Sequence, residues 1–386
     1  MNNFDGVKNI LVIKLRHIGD VLLTVPAIRA LKENFPGAAV SALVNSGTEE
    51  MLTGNPLLAG VIAFDRTIKG ASALRRMGAE LGFVKRLHER RFEMTVDLTG
   101  GDRPALIGFL SGARYRLGYD PGGAGFAGKK RLYTHLAERP GARAHTVLRD
   151  LGIGAAFGIT TANLSVDIYT SAEDDAAAGK ALAEAGVAQG VPFVHCHPTS
   201  RWLFKAWTDE GMAQVLDAIQ SKGLRAVITA GPAEAERKRT AAIVRLMRTE
   251  PADLSGALTL KGLAALSRRA ALFFGVDSAP MHIAAATGTR VVALFGPSGA
   301  FDWGPWDNRE AARWAAASKK PGGARSPYPL KNGAQRFGAH RVIQRDWDCV
   351  PCGKDGCNGT KKSRCLDEIT PEDVLTVVFE ALSMKP

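Results

Sequence analysis

The sequence predicts an α/β protein made of two Rossmann-like domains in tandem, each built on a doubly wound parallel sheet. Short apolar runs alternate with amphipathic helical segments along most of the 386 residues, which is the pattern of parallel sheets covered by helices. The pattern starts a second time after a polar, Ala- and Gly-rich passage at about 165–190. We therefore place the first domain at 1–170 and the second at 171–370, which includes a Cys-rich segment at 346–366. A terminal helix at 371–386 could pack back on the first domain.

In the first half, continuous apolar runs predict the strands of a buried sheet. They lie at 9–14, 40–44, 60–64 and 94–98. One amphipathic helix is predicted at 21–34, because its apolar residues fall on one face. Residues 100–145 are rich in Gly and Arg, and we expect a looser stretch there that serves function.

The second half repeats the arrangement. Strands are predicted at 191–195, 225–229, 271–276 and 291–295, and helices at 171–185, 208–222, 233–248, 260–269 and 371–382. In the passage 275–297, a strand, a short helix and another strand follow one another. Asp277 and Ser278 are helix-capping residue types, and Gly288 suits the helix end. Residues 315–345 are expected to be loop.

The start of that short helix predicts a nucleotide-type ligand in the second half. It faces the carboxyl edge of a parallel sheet, where open α/β sheets bind their ligands. Free backbone N–H groups at a helix start suit a phosphate or a diphosphate.

Composition and charge limit the class of protein. A hydrophobic content of 46% and a charged content of 23% are typical of soluble globular proteins. No apolar stretch reaches the roughly 18 residues of a membrane span, and without a signal-peptide layout we expect the protein in the cytoplasm. The net charge of +12 favours an anionic partner: nucleic acid, a membrane surface or a phosphorylated substrate. No nucleic-acid module is recognisable, so we expect no nucleic-acid partner.

Two common nucleotide motifs are missing. No G-x-G-x-x-G follows the first strand, and the sequence contains no P-loop. The glycines at 122–125 lack the strand-to-helix setting that a nucleotide fingerprint requires. A nicotinamide dehydrogenase or a kinase is therefore disfavoured.

The loop between the first strand and the first helix carries a candidate catalytic group. Gly19 permits close backbone approach, and Asp20 stands at the helix start. Asp20 is either the N-cap of that helix or a carboxylate at the mouth of a cleft, placed to accept a proton from a substrate hydroxyl.

A second loop, after the first strand of the second half, suits a diphosphate. It carries the hydroxyls of Thr199 and Ser200 and the cations Arg201 and Lys205, and such groups at a strand's carboxyl end stabilise phosphate charge. Arg201 could instead be a solvated side chain. At least two of the neighbouring aromatic residues are expected to serve packing: Trp202, Phe204 and Trp207.

Further candidates follow the later strands. Glu234 or Glu236 could bind ribose hydroxyls, as in dinucleotide sites, or only complement the helix start. Asp277 could accept hydrogen bonds from sugar hydroxyls. His282 lies on a largely apolar helix, where a packing role is slightly favoured over a catalytic one.

The tail contains a cysteine cluster. Cys349, Cys352, Cys357 and Cys365 have the spacing C-x2-C-x4-C-x7-C, which in a cytoplasmic protein favours zinc or another thiolate-bound metal over disulfides. With no metal-activated water evident, we assign such a zinc a structural role. Cys196 is expected to be a lone buried thiol.

Several motifs follow one another along the chain. They are Ile10-Leu-Val-Ile-Lys14, Gly19-Asp20, Val96-Asp-Leu-Thr-Gly100, Lys205-Ala-Trp207, Gly275-Val-Asp-Ser278 with His282, and Phe295-Gly-Pro297. Together they resemble glycosyltransferase family 9, the ADP-heptose:lipopolysaccharide heptosyltransferases. The resemblance covers nearly the whole chain, and the segment 199–205 with the cysteine-bearing tail resembles the heptosyltransferase III branch.

The resemblance implies a GT-B architecture, with two Rossmann-like domains facing a central cleft. The first domain would bind the acceptor and the second the ADP-sugar. Asp20 matches the general base, Lys205 the lysine at the donor phosphates, and Asp277 the aspartate at the heptose. The implied donor-binding residues are Thr199, Ser200, Lys205, Glu236, Asp277, Ser278, Ala279, Met281 and His282.

The implied reaction is an inverting transfer of heptose from ADP-heptose to the inner core oligosaccharide of lipopolysaccharide. No D-x-D motif is evident, so no cofactor is expected to be required; Lys205 and the helix start would stabilise the departing ADP. The rival interpretations are a GT-B enzyme that uses another nucleotide-sugar and a non-enzymatic, zinc-bearing binding protein.

The resemblance also implies a phosphorylated lipid-linked acceptor and a peripheral position on the inner face of the inner membrane, which would explain the positive charge. The expected acceptor-binding residues are His17, Gly19, Arg103, Arg114 and Arg116. Lys129, Lys130 and Arg131 could also meet these anions, or they could form a solvated basic loop.

Overall fold

The structure is a computed structural model that describes residues 4–65, 73–140, 144–317 and 326–384. The chain divides into two compact units, Met1–Tyr169 and Thr170–Pro386. Within the described ranges, no helix has both the length and the apolar character that crossing a membrane requires.

The first unit contains a six-stranded parallel sheet in the order β3-β2-β1-β4-β5-β6. Its strands are β1 (Asn9–Lys14), β2 (Ala39–Asn45), β3 (Gly60–Phe64), β4 (Met94–Asp97), β5 (Tyr115–Tyr119) and β6 (His135–Ala137). The central β1 is almost wholly buried, which is why its sequence is a continuous apolar run.

Among the described residues of the first unit, five helices accompany this sheet: α1 (Ile18–Leu22), α2 (Val25–Asn34), α3 (Ala73–Glu89), α4 (Asp102–Leu110) and α5 (Thr146–Ala155). The single helix expected at 21–34 is therefore two helices. The break follows from Pro26, which lacks the N–H that would continue the hydrogen-bond ladder of α1. The stretch 100–145, expected to be loose, contains α4, β5 and β6 in its described part; residues 141–143 lie outside it. The polar composition of the short strands β5 and β6 hides them in the sequence.

The second unit contains a seven-stranded sheet in the order β12-β13-β11-β10-β7-β8-β9. Its strands are β7 (Phe193–His197), β8 (Arg225–Ile228), β9 (Ala252–Asp253), β10 (Leu272–Val276), β11 (Val291–Leu294), β12 (Gln335–Phe337) and β13 (His340–Ile343). All neighbours are parallel except β12 and β13, which form an antiparallel pair.

That pair corrects the expectation of a loop at 315–345, of which 318–325 lie outside the described residues. β12 and β13 are joined through Gly338, whose positive φ of 54° favours glycine. Phe337 packs against the buried Trp306 and Tyr328. Strands of three and four residues are too short to show a periodicity in the sequence.

Nine helices belong to the described part of the second unit. They are α6 (Ala172–Glu184), α7 (Asp209–Ser221), α8 (Glu234–Leu246), α9 (Leu260–Arg269), α10 (Ala279–Ala286), α11 (Ala300–Trp303), α12 (Asn308–Ala317), α13 (Arg364–Asp367) and α14 (Pro371–Ser383). The terminal helix α14 differs from expectation: Val374 and Val378 lie in the core of the second unit together with residues of α7, β10 and β11. It therefore belongs to the second unit.

The order of the strands decides which loops are neighbours. β10 lies between β7 and β11, so the loops that leave the carboxyl ends of these three strands emerge side by side. Gly275 allows this close packing, because a Cβ at that position would lie 2.6 Å from the carbonyl oxygen of His197.

Candidate active site

The loops after β7 and β10 bring Lys205 and Asp277 together. Lys205 Nζ donates to Asp277 Oδ2 at 2.7 Å, and the Ser298 hydroxyl donates to the same oxygen. Burial pushes the pKa of Asp277 upward, but Lys205, Ser298 and His282 more than offset burial, so the pKa lies below its usual value. Asp277 is thus a buried, ionised carboxylate.

Ser278 follows Asp277 as the N-cap of α10, with an extended backbone. Its Oγ is buried and has no hydrogen-bond partner within the described ranges. Such an atom costs free energy until a ligand or water satisfies it. The start of α10 therefore combines an unsatisfied hydroxyl with the positive end of a helix dipole, which suits an anion.

Glu236 lies in the first turn of α8, which follows β8, the strand next to β7. Its side chain is buried, and its Oε2 accepts from the Thr199 hydroxyl at 3.2 Å. Gly231 makes room for it, since a Cβ there would lie 2.7 Å from Glu236 Oε1. Glu234, by contrast, is exposed and pairs with Lys238 at 2.6 Å. Of the two glutamates, only Glu236 is enclosed beside the loop after β7.

Behind Glu236 runs a buried chain of hydrogen bonds. His195 Nδ1 lies 2.9 Å from Ser267 Oγ and its Nε2 lies 2.8 Å from Thr229 Oγ1. Thr229 Oγ1 is in turn 2.9 Å from His197 Nδ1, and His197 Nε2 is 4.0 Å from Glu236 Oε2. Burial lowers the pKa of His195 to about 3 and that of His197 to about 4, so both imidazoles are neutral.

The charge of Glu236 selects one direction for this chain. A carboxylate favours an N–H rather than a lone pair on the facing Nε2 of His197. His197 Nδ1 then accepts from the Thr229 hydroxyl, and Thr229 accepts from His195 Nε2. This row of hydrogen bonds fixes the orientation of the His197 ring that faces Glu236. The sequence did not single out His197, Thr229 or Ser298. Each lies at or shortly after the carboxyl end of a strand, and that position was the available signal.

The other expected donor residues fall into two groups. Ser200 and His282 are buried near the site, and Ala279 opens α10. Met281 differs from expectation: its side chain is fully buried and its backbone N–H already donates to the Ser278 carbonyl. Neither the side chain nor the backbone N–H of Met281 is therefore available to contact an ADP-sugar.

The aromatic residues near Lys205 divide as follows. Trp207 is a core residue, and its Nε1 donates to the Ile369 carbonyl at 3.1 Å. Trp202 is exposed and lies against Phe204. Arg201 is also exposed, with its guanidinium 5.5 Å from the centre of the Trp202 ring.

In the first unit, Asp20 lies in the first turn of α1 and His17 is the N-cap. The alternative that Asp20 is only the N-cap is therefore wrong. Beneath the loop, Lys14 Nζ donates to Asp150 Oδ2 at 2.6 Å, and both side chains are buried. Burial raises the pKa of Asp150, Lys14 opposes the rise, and the charge of Asp20 adds to it. Asp20 is thus close to a buried ion pair.

The arginines expected at the acceptor separate along the sheet. Arg103 is the second residue of α4, which is separated by four residues from the carboxyl end of β4, at the same sheet edge as Asp20. Arg114 precedes β5, whose Tyr115 is level with Met94 at the start of β4, and Arg116 is the second residue of β5. Arg114 and Arg116 therefore lie toward the opposite edge of this parallel sheet. That position corrects their assignment to the acceptor site beside Asp20.

The other residues that the sequence singled out in the first unit differ in exposure. His17 is exposed, and Gly19 is buried in the first turn of α1. Asp97, within the motif at 96–100, accepts from Tyr133 Oη at 2.6 Å and from two backbone N–H groups. Lys129 is buried, with Nζ 3.2 Å from Asp102 Oδ1, so it is no mobile surface cation.

The four cysteines of the tail differ in exposure. Cys349 and Cys352 are exposed, Cys357 is partly buried and Cys365 is buried. Burial and the charges of the neighbouring Cys357, Cys352 and Cys349 raise the pKa of the Cys365 thiol to about 12. In the part of the chain that the structure describes, no group of three or more His, Cys, Asp or Glu is arranged to hold a metal ion. Zinc at these cysteines therefore stays a prediction from their spacing.

The sequence is similar to those of known proteins. Residues 81–326 match the family profile described as glycosyltransferase family 9 (heptosyltransferase). The chain is 33% identical over 314 residues to lipopolysaccharide heptosyltransferase 3 of Escherichia coli K12, covering 79% of this chain and 88% of that one. It is 27% identical over 394 residues to lipopolysaccharide heptosyltransferase 1 of Pseudomonas aeruginosa, covering 98% of each.

Solved structures show the same fold. A glycosyl transferase of family 9 from Veillonella parvula has a TM-score of 0.76 at 20% identity and covers 97% of each chain. The ADP-heptose lipopolysaccharide heptosyltransferase II of E. coli has a TM-score of 0.71 at 18% identity, covering 97% of this chain and 98% of that one. These likenesses confirm the predicted fold class.

Proposed function

This chain belongs to glycosyltransferase family 9, and from that membership we propose that it transfers a heptose from ADP-heptose to the core oligosaccharide of a lipopolysaccharide precursor. Two relatives at 33% and 31% identity, of which the chain covers 88% and 87%, are lipopolysaccharide heptosyltransferases 3. The observation that carries the proposal for this chain is the grouping of Lys205, Asp277 and Ser278 beside the enclosed carboxylate of Glu236.

Each of these residues suits one part of an ADP-sugar. The buried Glu236 carboxylate accepts hydrogen bonds from the two ribose hydroxyls, as carboxylates do in dinucleotide sites. The Ser278 hydroxyl and the start of α10 receive the diphosphate. Lys205 supplies the cation beside the phosphates, and Asp277 binds the hydroxyls of the sugar.

The transfer is a single displacement. Asp20 takes the proton from the acceptor hydroxyl, whose oxygen attacks the anomeric carbon of the donor through an oxocarbenium-like state. The bond from that carbon to the diphosphate oxygen breaks, and ADP leaves with the electron pair. Lys205 and the backbone N–H groups at α10 stabilise the negative charge that develops on ADP. Attack opposite to the leaving group inverts the anomeric centre.

The acceptor side of the proposal concerns the membrane. A lipopolysaccharide precursor is lipid-linked and phosphorylated, so an enzyme that acts on it works at a membrane surface. The net charge of +12 supports attraction to such an anionic surface. We place the protein at the cytoplasmic face of the inner membrane as a peripheral enzyme.

The test measures nucleotide preference and product together. ADP, UDP and GDP compete for the purified chain, and the chain is then incubated with ADP-heptose and a core acceptor whose mass is followed. We expect ADP to bind best and the acceptor to gain one heptose. Preference for UDP or GDP would instead indicate a related enzyme with another nucleotide-sugar. Mass spectrometry of lipopolysaccharide from a deletion strain identifies the missing sugar.

A further inference from the structure

The outward face of α4 is apolar. The helix buries Pro104, Ala105, Ile107 and Gly108 on its inner side. Its outer side carries three large apolar side chains: Leu106 is 42% exposed, Phe109 47% and Leu110 45%. Surface helices of globular proteins normally carry polar residues there, so this helix is apolar on both faces.

Two arginines lie beside these side chains. Arg103 lies one turn before Leu106 on the same face of α4, and the Arg116 guanidinium lies 5.4 Å from the centre of the Phe109 ring. Leu106, Phe109, Leu110, Arg103 and Arg116 together form what we call the α4 patch. Arg116 also donates to the Leu132 and Ala113 carbonyls at 2.6 Å each, which hold its partly exposed guanidinium at the edge of this apolar surface.

The segment from Gly125 to Lys129 lies beside the start of α4 and carries another exposed apolar side chain. Gly125 lies against the start of α4, since a Cβ there would meet Asp102 Oδ1, and Lys129 ties the segment to Asp102 at 3.2 Å. Phe126, between them, is 41% exposed. From Asp102 to Arg131 the sequence contains six Lys or Arg residues and two acidic residues, Asp102 and Asp120.

We propose that the α4 patch docks on the surface of a bilayer that contains anionic phospholipids. Leu106, Phe109 and Leu110 insert at the boundary between headgroups and acyl chains, while the arginines meet lipid phosphates. Lys129 and Lys130 pair with Asp102 and Asp120, and Arg103 lies 3.7 Å from Glu80. Arg114 and Arg131 are exposed, and Arg116 lies beside Phe109. The remaining excess of cations over carboxylates favours an anionic surface. A protein partner fits this patch less well, because three half-exposed side chains offer far less than the roughly 1,000 Å² that a stable protein interface needs.

This inference rests on the proposed function and deepens it. An enzyme that acts on a lipid-linked acceptor meets that acceptor more often when it is held at the membrane. The α4 helix starts at the sheet edge that also carries the Asp20 loop and runs toward the opposite edge. Docking through α4 would therefore hold the first unit, which includes the proposed base, at the surface where the acceptor resides.

The test is co-sedimentation of the full chain with vesicles of phosphatidylethanolamine and phosphatidylglycerol, compared with vesicles of phosphatidylcholine alone. We expect binding to the anionic vesicles that weakens as salt rises. The variant Phe109→Ser/Leu110→Ser should lose about tenfold in vesicle partitioning. The matched control is Leu246→Ser/Leu330→Ser, which removes side chains that are 49% and 55% exposed in the second unit and should bind as wild type.

Circular dichroism and ADP affinity show whether each variant is folded. Equal partitioning of the α4 variant and wild type would overturn the proposal. So would a wild-type dimer that the α4 substitutions convert to a monomer without a change in vesicle binding, since a second copy would then cover the patch. Transfer to a de-acylated, soluble acceptor should be unchanged in the α4 variant. If wild type fails that reaction, the proposed function is wrong while the vesicle result still stands.

Discussion

Replacing Lys205 by alanine should destabilise the second unit and nearly abolish transfer. The buried Asp277 carboxylate would keep Ser298 but lose the Nζ that lies 2.7 Å away. Breaking a buried ion pair typically costs about 3–5 kcal/mol. Because the Lys205 side chain is 22% exposed, water replaces part of the interaction, and we expect the free energy of unfolding to fall by about 2 kcal/mol. The transfer rate should fall about 100-fold or more, since the cation beside the leaving diphosphate is gone.

Urea denaturation followed by circular dichroism measures the first effect, and ADP release measures the second. The double variant Lys205→Ala/Asp277→Asn separates the causes, because a neutral amide no longer needs a cation. It should be more stable than Lys205→Ala, yet remain inactive. The exposed Lys222, at the end of α7, is the control, and Lys222→Ala should match wild type in both assays. A double variant no more stable than Lys205→Ala would refute the reasoning.

Three further predictions concern single positions. Asp20→Asn should reduce transfer about 10²–10⁴-fold with an unchanged ADP Kd, and a wild-type rate would remove Asp20 as the base. Gly231→Ala should weaken ADP binding about tenfold, because its Cβ would press on Glu236 Oε1 at 2.7 Å; calorimetry with ADP measures this, and equal affinity would contradict the role of Glu236. The folded-state pKa values of His195 and His197, about 3 and about 4, lie below the unfolded value of about 6.5. The unfolded chain therefore binds more protons at pH 5, and the free energy of unfolding should fall between pH 7 and pH 5 by about 2 kcal/mol for each histidine. A urea midpoint equal at both pH values would contradict burial of neutral imidazoles.

The sequence was informative wherever a local pattern matched a buried element. The central strands β1 and β10 are nearly continuous apolar runs because both faces of a parallel sheet are covered. Asp20 and Asp277 could be singled out because each follows such a run at the carboxyl edge, where ligands of α/β sheets bind. The family motifs lie at these same positions.

Prediction failed where packing outweighed local pattern. The break between α1 and α2 depends on the one N–H that Pro26 lacks, within an otherwise continuous amphipathic segment. The hairpin of β12 and β13 is short and polar, and it is held by its contact with Trp306 and Tyr328.

The sequence by itself determined the alternation of strands and helices, the two Rossmann-like sheets and the family, because these depend on residues close together in the chain. Only the tertiary structure decided which side chains meet. Lys205 and Asp277 are 72 positions apart, and they are partners because β7 and β10 are adjacent in the sheet. The register of β5 on β4 separates Arg114 and Arg116 from the sheet edge that carries Asp20. The orientation of α8 encloses Glu236 rather than Glu234. Strand order and register depend on contacts between distant segments, which no local pattern of residues specifies.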